Sequence, residues 1–329
     1  MSGMGFNRNS MSNLFAYLFG DGSDGDVTIS ANTDLVSTLN GDIVYKNYNN
    51  LTIDAGCTLS VSNMCKGLWI RVRGTLTLNG AISMSNKGCY IAGGGDDLYL
   101  CYNDILVPKV GAAGGAHPTG TNAANAGADG TDGRCGGGGS GGYRGGAGAY
   151  GGVSGGGAGG SGGWYITEGS VYGGDGEAGQ AYGLRGGNGI HGVHGGTGRT
   201  IDSGGGAGGV TGGTSGGGAA TAGQAGSGGI LVIMANAVVG SGQLLSRGAN
   251  GGVGTYWHNG DYTANAQGAS GGGSGGGSIT LFYYTMSGTP TFNAAGGAGG
   301  AANEVAGGAG GAGSCRDYSL AELLSHTRV

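Results

Sequence analysis

The apolar positions of this chain come in short bursts separated by turn residues. Between Leu68 and Ser85 they fall as Ile70 and Val72, then Leu76 and Leu78, then Ile82 and Met84, with glycine at the corners. Alternation within a burst predicts a strand with one buried face. Glycine between bursts predicts that the chain turns after only a few residues. Stacked rungs of a β-solenoid satisfy that pattern, and an antiparallel sandwich satisfies it too; the solenoid is the favoured reading. The same texture runs through residues 27–110, in "VTIS", "DIVYKNYNNLTI" and "CTLSVS". Asn40-Gly41, Asn49-Asn50, Ala55-Gly56 and Asn79-Gly80 punctuate these segments.

Two later strands share one plan with "GLWIRVRGTLTLNGAISMSNKG". They lie in "GGILVIMANAVVGSGQLLSRGANGG" and "GGSITLFYYTMSGTPTFNAAGGAGG". Each has Gly-Gly, an apolar strand, Ser-Gly, a second short strand, then Ala or Asn before Gly-Gly. This is an internal repeat of roughly 50 residues, with the glycine tracts as long excursions between successive rungs.

Composition changes the picture from residue 111 onward. The chain has 329 residues, of which 90 are glycine and 3 are proline. Glycine-rich sequence often signals disorder, but disordered linkers do not carry apolar strands such as those above. Collagen needs a strict glycine period and abundant proline, and both are missing. The tracts still show a local period of three. Gly-Gly separates Ala158, Ser161 and Trp164, and likewise Ala298 from Ala301 and Ala309 from Ala312. A period of three without proline predicts glycine-rich polyproline II helices, three residues per turn, packed side by side and bonded laterally. Only hydrogen fits between helices packed so closely. The expected fold class is therefore mainly β, with a β-solenoid-like body, a sandwich of polyproline or polyglycine II helices, and very little α-helix.

The chain divides into an N-terminal attachment segment at 1–26, a solenoid-like domain at 27–110, a glycine-rich region with interleaved strands at 111–313, and a short helical tail at 314–329. In the tail, Ser319 and Glu322 form a capping-box pattern before Leu323 and Leu324. The apolar piece Leu14–Phe19 is too short for the core of a signal peptide, which leads to an expectation of synthesis in a cytoplasm. The formal net charge of −5 comes with no basic stripe, so nucleic acid is not an expected partner. No apolar run reaches the length of a membrane span. The six cysteines, at 57, 65, 89, 101, 135 and 315, include no C-x-x-C pair. They read as small buried hydrophobes, with disulfides left open.

No catalytic constellation is legible, and no enzymatic activity is expected. Matches to G-x-G-x-x-G carry no weight where more than a quarter of the residues are glycine. Asp175 with Glu177, and Asp96 with Asp97, are neighbouring acids of the kind that can cleave glycans, but they also suit solvated turns. "GGNGIHGVH" looks like one calcium-binding nonapeptide, yet His191 stands where aspartate is needed and no tandem copy follows. On a polyproline II rod, His191 and His194 would face the same way about 9 Å apart, awkward for one metal ion. Asp21, Asp24 and Asp26 in "DGSDGD" offer hard oxygen ligands in a tight loop, so calcium is the one cofactor considered; a polar turn is the alternative. The aromatics are more informative. Trp164, Tyr165, Tyr172 and Tyr182 form one cluster, and Tyr256, Trp257, His258 and Tyr262 another, both bounded by glycine. Aromatic loops on a rigid frame suit recognition of sugars or proteins.

"LFGDGSDGDVTIS", "KNYNNLTIDAGCTL" and "VRGTLTLNGAIS" together resemble the opening of glycine-rich tail and fibre proteins of bacteriophages. "GGAGGSGG" and "GGAGGAANEVAGGAGGAG" are similar to tracts in the tail-fibre-tip adhesins of T-even-type phages. The likeness covers most of residues 15–313. It implies a polyglycine II sandwich whose loops touch a host receptor, a virion location, other virion proteins and a host cell-surface receptor as partners, and a possible homo-oligomer. The expected function is that of a tail fibre, tail-tip or adhesin subunit. The alternatives are a capsid decoration fibre, a host-glycan depolymerase and an ice-binding protein. "NLFAYLFG" and the C-terminal helix are the expected attachment points to other virion proteins.

Overall fold

The computed structural model describes residues 17–39, 41–88, 129, 164–166, 191–193, 200–202, 226–252, 256–257, 266–268, 271–301 and 306–322. Those residues are mainly β. Short helical turns occupy 17–19 and 320–322. Eleven strands build two large sheets, taken here in pairs along the chain: β1 (Gly25–Ile29) and β2 (Thr33–Leu35), β3 (Val44–Ile53) and β4 (Thr58–Val61), β5 (Leu68–Leu78) and β6 (Ala81–Ser83). After the long excursion come β10 (Ile230–Val239) and β11 (Gln243–Leu245), β14 (Ser278–Met286) and β15 (Thr291–Asn293), and lastly β16 (Ser314–Ser319). The first member of each pair enters one sheet, in the order β1-β3-β5-β10-β14-β16. The second enters the other, in the order β15-β11-β6-β4-β2. Both orders follow the chain, and every pairing in the two sheets is parallel. Parallel pairing excludes the antiparallel sandwich.

The three bursts of β5 and β6 all point inward. Ile70, Val72, Leu76, Leu78, Ile82 and Met84 have no exposed surface. The repeat units lie in register. Leu68 pairs with Leu231, which pairs with Ile279, and Ile82 pairs with Leu244, which pairs with Phe292. Alternate residues of the larger sheet thus form one apolar core shared with the smaller sheet. Each Leu or Ile buried there contributes about 1.5–3 kcal/mol. The intervening residues form a second cluster on the outer face, with Trp69, Ile230, Val232, Met234 and Phe282. Leu18 and Phe19 cover it from the N-terminal turn and Leu320 from the C-terminal one. Phe282 also stacks on Tyr318 with ring centroids 5.3 Å apart. The apolar end of "NLFAYLFG", Leu18 and Phe19, thus packs on the chain's own sheet.

The long strands break register once, between Tyr48 and Leu51 in β3 and between Ala235 and Ala237 in β10. Side chains bridge the break. Asp26 accepts from both Asn49 and Asn50, and Asn50 accepts from the Thr75 amide. Gly74 faces Asn50 so closely that a Cβ would collide with it.

Beyond the strands, five glycine-rich segments run on past the sheets: 226–228, 246–252, 271–277, 294–300 and 307–313. Their backbone amides bond laterally, at every third residue. Gly248 and Gly251 donate to Ala295 and Ala298; Gly271, Ser274 and Gly277 donate to Gly252, Ala249 and Ser246; Gly307, Gly310 and Gly313 donate to Gly300, Gly297 and Ala294. Within a sheet a strand has at most two neighbours. Segment 271–277 exchanges backbone bonds with all four other segments. This is a bundle packed in two dimensions, with interior amides and carbonyls satisfied by one another. A Cβ at Gly251, Gly273, Gly276, Gly297 or Gly310 would overlap the backbone of a neighbouring segment.

Candidate display site

The bundle fixes where the excursions begin and end. Residues 246–252 leave the sheets and 271–277 return, and the Gly271 amide bonds the Gly252 carbonyl at 3.0 Å. Residues 294–300 leave and 307–313 return, with the Gly307 amide on the Gly300 carbonyl at 3.2 Å. Gly251 bonds Ala298 and Gly300 bonds Gly271, so both roots lie at the same end of the bundle. The longest excursion leaves after Gly88, whose amide bonds Ser227 on the returning segment. It touches the bundle again at Asp129, whose carboxylate accepts the Ala309 amide at 2.7 Å. That contact had no legible signal in sequence.

Two of these excursions meet. Strand β7 (Trp164–Ile166) belongs to the first, while β12 (Tyr256–Trp257) and β13 (Ala266–Gly268) belong to the second. They form an antiparallel sheet in the order β12-β13-β7. Tyr256 pairs with Gln267, which pairs with Tyr165; Gly268 pairs with Trp164, and Ala266 lies between Trp257 and Ile166. Four of the eight cluster residues, Trp164, Tyr165, Tyr256 and Trp257, thus come together on one small sheet. The remaining four, Tyr172, Tyr182, His258 and Tyr262, lie outside the described residues, as do His194, Asp96, Asp97, Asp175 and Glu177.

His191 opens β8 (His191–Val193), which pairs antiparallel with β9 (Thr200–Asp202) so that His191 stands opposite Asp202. This backbone is in a two-stranded ladder, which corrects the placement of His191 on a threefold rod.

The aspartates of "DGSDGD" hold the start of the first strand. Asp21 accepts the Ser23 amide at 3.0 Å. Asp24 accepts the Asn47 amide at 2.6 Å and pairs with Lys46 at 3.0 Å. Asp26 accepts from Asn49 at 2.7 Å and Asn50 at 2.8 Å. Hydrogen bonds from Ser23 hold the Asp21 carboxyl below its ordinary range, and those from Asn49 and Asn50 do the same for Asp26. The three carboxylates thus serve five protein donors, none of them shared. Among the described residues, no group of three or more His, Cys, Asp or Glu side chains is placed to hold a metal ion. Cys57, Cys65 and Cys315 are free thiols, with Cys65 buried and Cys315 exposed. Burial raises the pKa of Cys65, as suits a small hydrophobe.

Sequence reasoning missed β16 altogether, placing residues 314–329 in a helical tail. The signal was present. "GGGSIT" before β14 and "GAGSCR" before β16 share Gly-Ser at the strand start, and Ser278 pairs with Ser314. The capping box does form: the Glu322 carboxylate accepts the Ser319 amide at 2.7 Å, and Ser319 Oγ accepts the Glu322 amide at 3.2 Å.

In comparisons with known proteins, the chain matches no family model, no curated protein and no solved structure. No helix among the described residues is long and apolar enough to cross a membrane.

Proposed function

We propose that this chain is a structural protein of a bacteriophage particle, a tail fibre, tail-tip or adhesin subunit that displays aromatic residues to a host surface. The observation that carries the reading is the union of two separate excursions in the β12-β13-β7 sheet, with Tyr165, Trp164, Tyr256 and Trp257 gathered on it. The body reads as a β-solenoid because successive strand pairs stack in chain order and in register. The glycine segments read as polyglycine II helices because their lateral bonds recur at every third residue and reach more than two neighbours. Such a bundle works by passive display. The aromatics are held on a preordered frame, so binding costs little ordering entropy.

The test is a binding assay of the purified chain on a panel of bacterial cells, with Trp164→Ala and Trp257→Ala beside the wild type. Unchanged thermal unfolding shows that the fold survives each change. A binding hot spot contributes 2 kcal/mol or more, so each variant should weaken saturable binding by roughly 30-fold. A well-folded wild type that binds none of the cells moves the chain to a passive fibre or capsid decoration role. Release of soluble sugars from the cell surface would turn the reading to a depolymerase.

A further inference from the structure

The outer face of the larger sheet holds two buried donors with nothing to donate to. Trp69 is 3% exposed, and its indole Nε1–H has no acceptor among the described residues. Two residues on, the Nε–H of Arg71 is also shut from water and also unpartnered. Both belong to β5 and stand in neighbouring outward rows. Trp69 pairs with Tyr45 and Val232, and Arg71 pairs with Asn47 and Met234. A buried donor left unmade costs more than an ordinary hydrogen bond returns, so folded chains rarely leave one, and this strand carries two.

The acids of the adjoining turn are committed elsewhere. Asp24 serves the Asn47 amide and Lys46, and Asp21 serves the Ser23 amide. Arg73 meets the Asp21 carbonyl at 3.5 Å, but the Arg71 guanidinium makes no ion pair with a described residue. The N-terminal turn roofs one side of this block. A Cβ at Gly20 would fall 2.9 Å from the Arg71 Cβ and 2.7 Å from Asn47 Oδ1. Leu18 and Phe19, from the same turn, share a cluster with Trp69. The β3 side is open. There Tyr45 is 51% exposed, and its ring meets that of Trp69 edge to face, with centroids 5.5 Å apart. An indole N–H and a guanidinium only donate, and the guanidinium is always charged. The group that completes them is an anion with oxygen acceptors, and an arginine fork matches the two oxygens of a carboxylate.

We propose that Trp69 and Arg71 form a binding site for a small organic carboxylate, entered from the exposed side at Tyr45. The carboxylate takes the Arg71 guanidinium and the Trp69 indole N–H together. The site is built from β3, β5 and the N-terminal turn alone, so it stands whether or not the excursions display a receptor-binding surface.

The test follows the indole N–H itself. The full chain has three tryptophans, so a proton–nitrogen correlation spectrum holds three indole signals, and Trp69→Phe identifies one of them by its loss. The probes are acetate and glucuronate, with glucose as the uncharged counterpart and sodium chloride at matched ionic strength. The Trp69 signal should move on titration with the two carboxylates and stay still with glucose or salt. A hydrogen bond to a charged group carries enough energy that Arg71→Gln should weaken the Kd by about tenfold or more. Trp69→Phe should weaken it similarly, read from the thermal stabilisation that the carboxylate gives. Without ligand, Trp69→Phe should unfold at the wild-type temperature, because the change removes no hydrogen bond. A Trp69 signal that ignores both carboxylates overturns the proposal, and so does one that glucose or chloride moves equally. An Arg71→Gln chain that binds the probes as the wild type does overturns it too.

Discussion

The two-sheet body and the glycine bundle solve the same problem with opposite materials. In the body, side chains fill the space between sheets, and backbone polar groups are satisfied along ladders about 4.8 Å apart. In the bundle, backbone fills the space. Segment 271–277 is buried throughout although it holds only glycine and serine. The body is sensitive to losing volume, the bundle to gaining it. What joins them is continuity of chain: segment 271–277 runs straight into β14, and 307–313 into β16, so the strand register sets the register of the bundle. Glycine alone could not do this, because identical residues carry no information about which neighbour belongs beside which.

The comparison breaks most visibly under volume changes of opposite sign. Leu76→Ala removes buried methyl groups from the shared core and should destabilise by about 3–4 kcal/mol. Gly276→Ala adds one methyl where the Ala294 carbonyl and the Gly313 amide already lie, and neither is a side chain that can swing away. It should cost about 2–3 kcal/mol. Gly56→Ala is the control. A Cβ there meets nothing within 4 Å, and only the φ of 81° penalises it, by about 1 kcal/mol. Denaturant unfolding of the three variants measures the order. A Gly276→Ala chain as stable as Gly56→Ala would mean the bundle is loosely packed.

The body was the legible half. Ile70, Val72, Leu76, Leu78, Ile82 and Met84 announce their shared inward face by alternation, and the repeat announces its stacking by its plan. The strand β16 was illegible because "SCRDYS" offers only Cys315 and Tyr318 as apolar signals, and its neighbours in the sheet supply what its own sequence lacks. The register break at Asn49 and Asn50 looked like a turn because asparagine favours both. In the bundle, the period of three was visible at Ala298 and Ala301, but which segments touch was not. The placement of Tyr165 and Tyr256 on one row, either side of Gln267, was also hidden. Aromatic content marked both clusters, yet nothing local ties two excursions separated by an entire strand pair.

A smaller effect sharpens the boundary where sheet passes into terminus. Ser319→Ala removes the acceptor for the Glu322 amide and one donor to its carboxylate. An N-cap of this kind contributes about 1 kcal/mol. The loss should free Leu320 from the outer face, where it helps cover Trp69 and Phe282. Hydrogen exchange should quicken at residues 320–322 while the protection of β5 and β10 is unchanged. Equal loosening of β10 would mean that the C-terminal turn holds the sheet itself together.

The smallest effect separates the first rung from everything above it. The hydrogen bonds from Asn49 and Asn50 hold the Asp26 carboxyl below its ordinary value of 3.8. A group whose pKa is lowered on folding binds protons less readily in the folded state than in the unfolded one. Its contribution is therefore fully present above pH 3.8 and is lost as pH falls through the lowered folded value. Protonation weakens an acceptor that bridges the register break of β3, so acid should loosen β1 and β3 before it touches β10 or β14. Asp26→Asn keeps a carbonyl acceptor for the two asparagine amides and removes the titration. It should flatten the acid limb of stability below that pH while leaving stability at neutral pH nearly unchanged. The carboxylate that touches the bundle, Asp129, sits on the Ala309 amide, while segment 271–277 and its bonds to Gly297 and Gly300 run through backbone amides and carbonyls. Exchange at Gly276 and Gly297 should stay insensitive to pH after correction for the intrinsic rate. Acid-dependent opening at those glycines, in step with β1, would show that the two halves unfold as one unit.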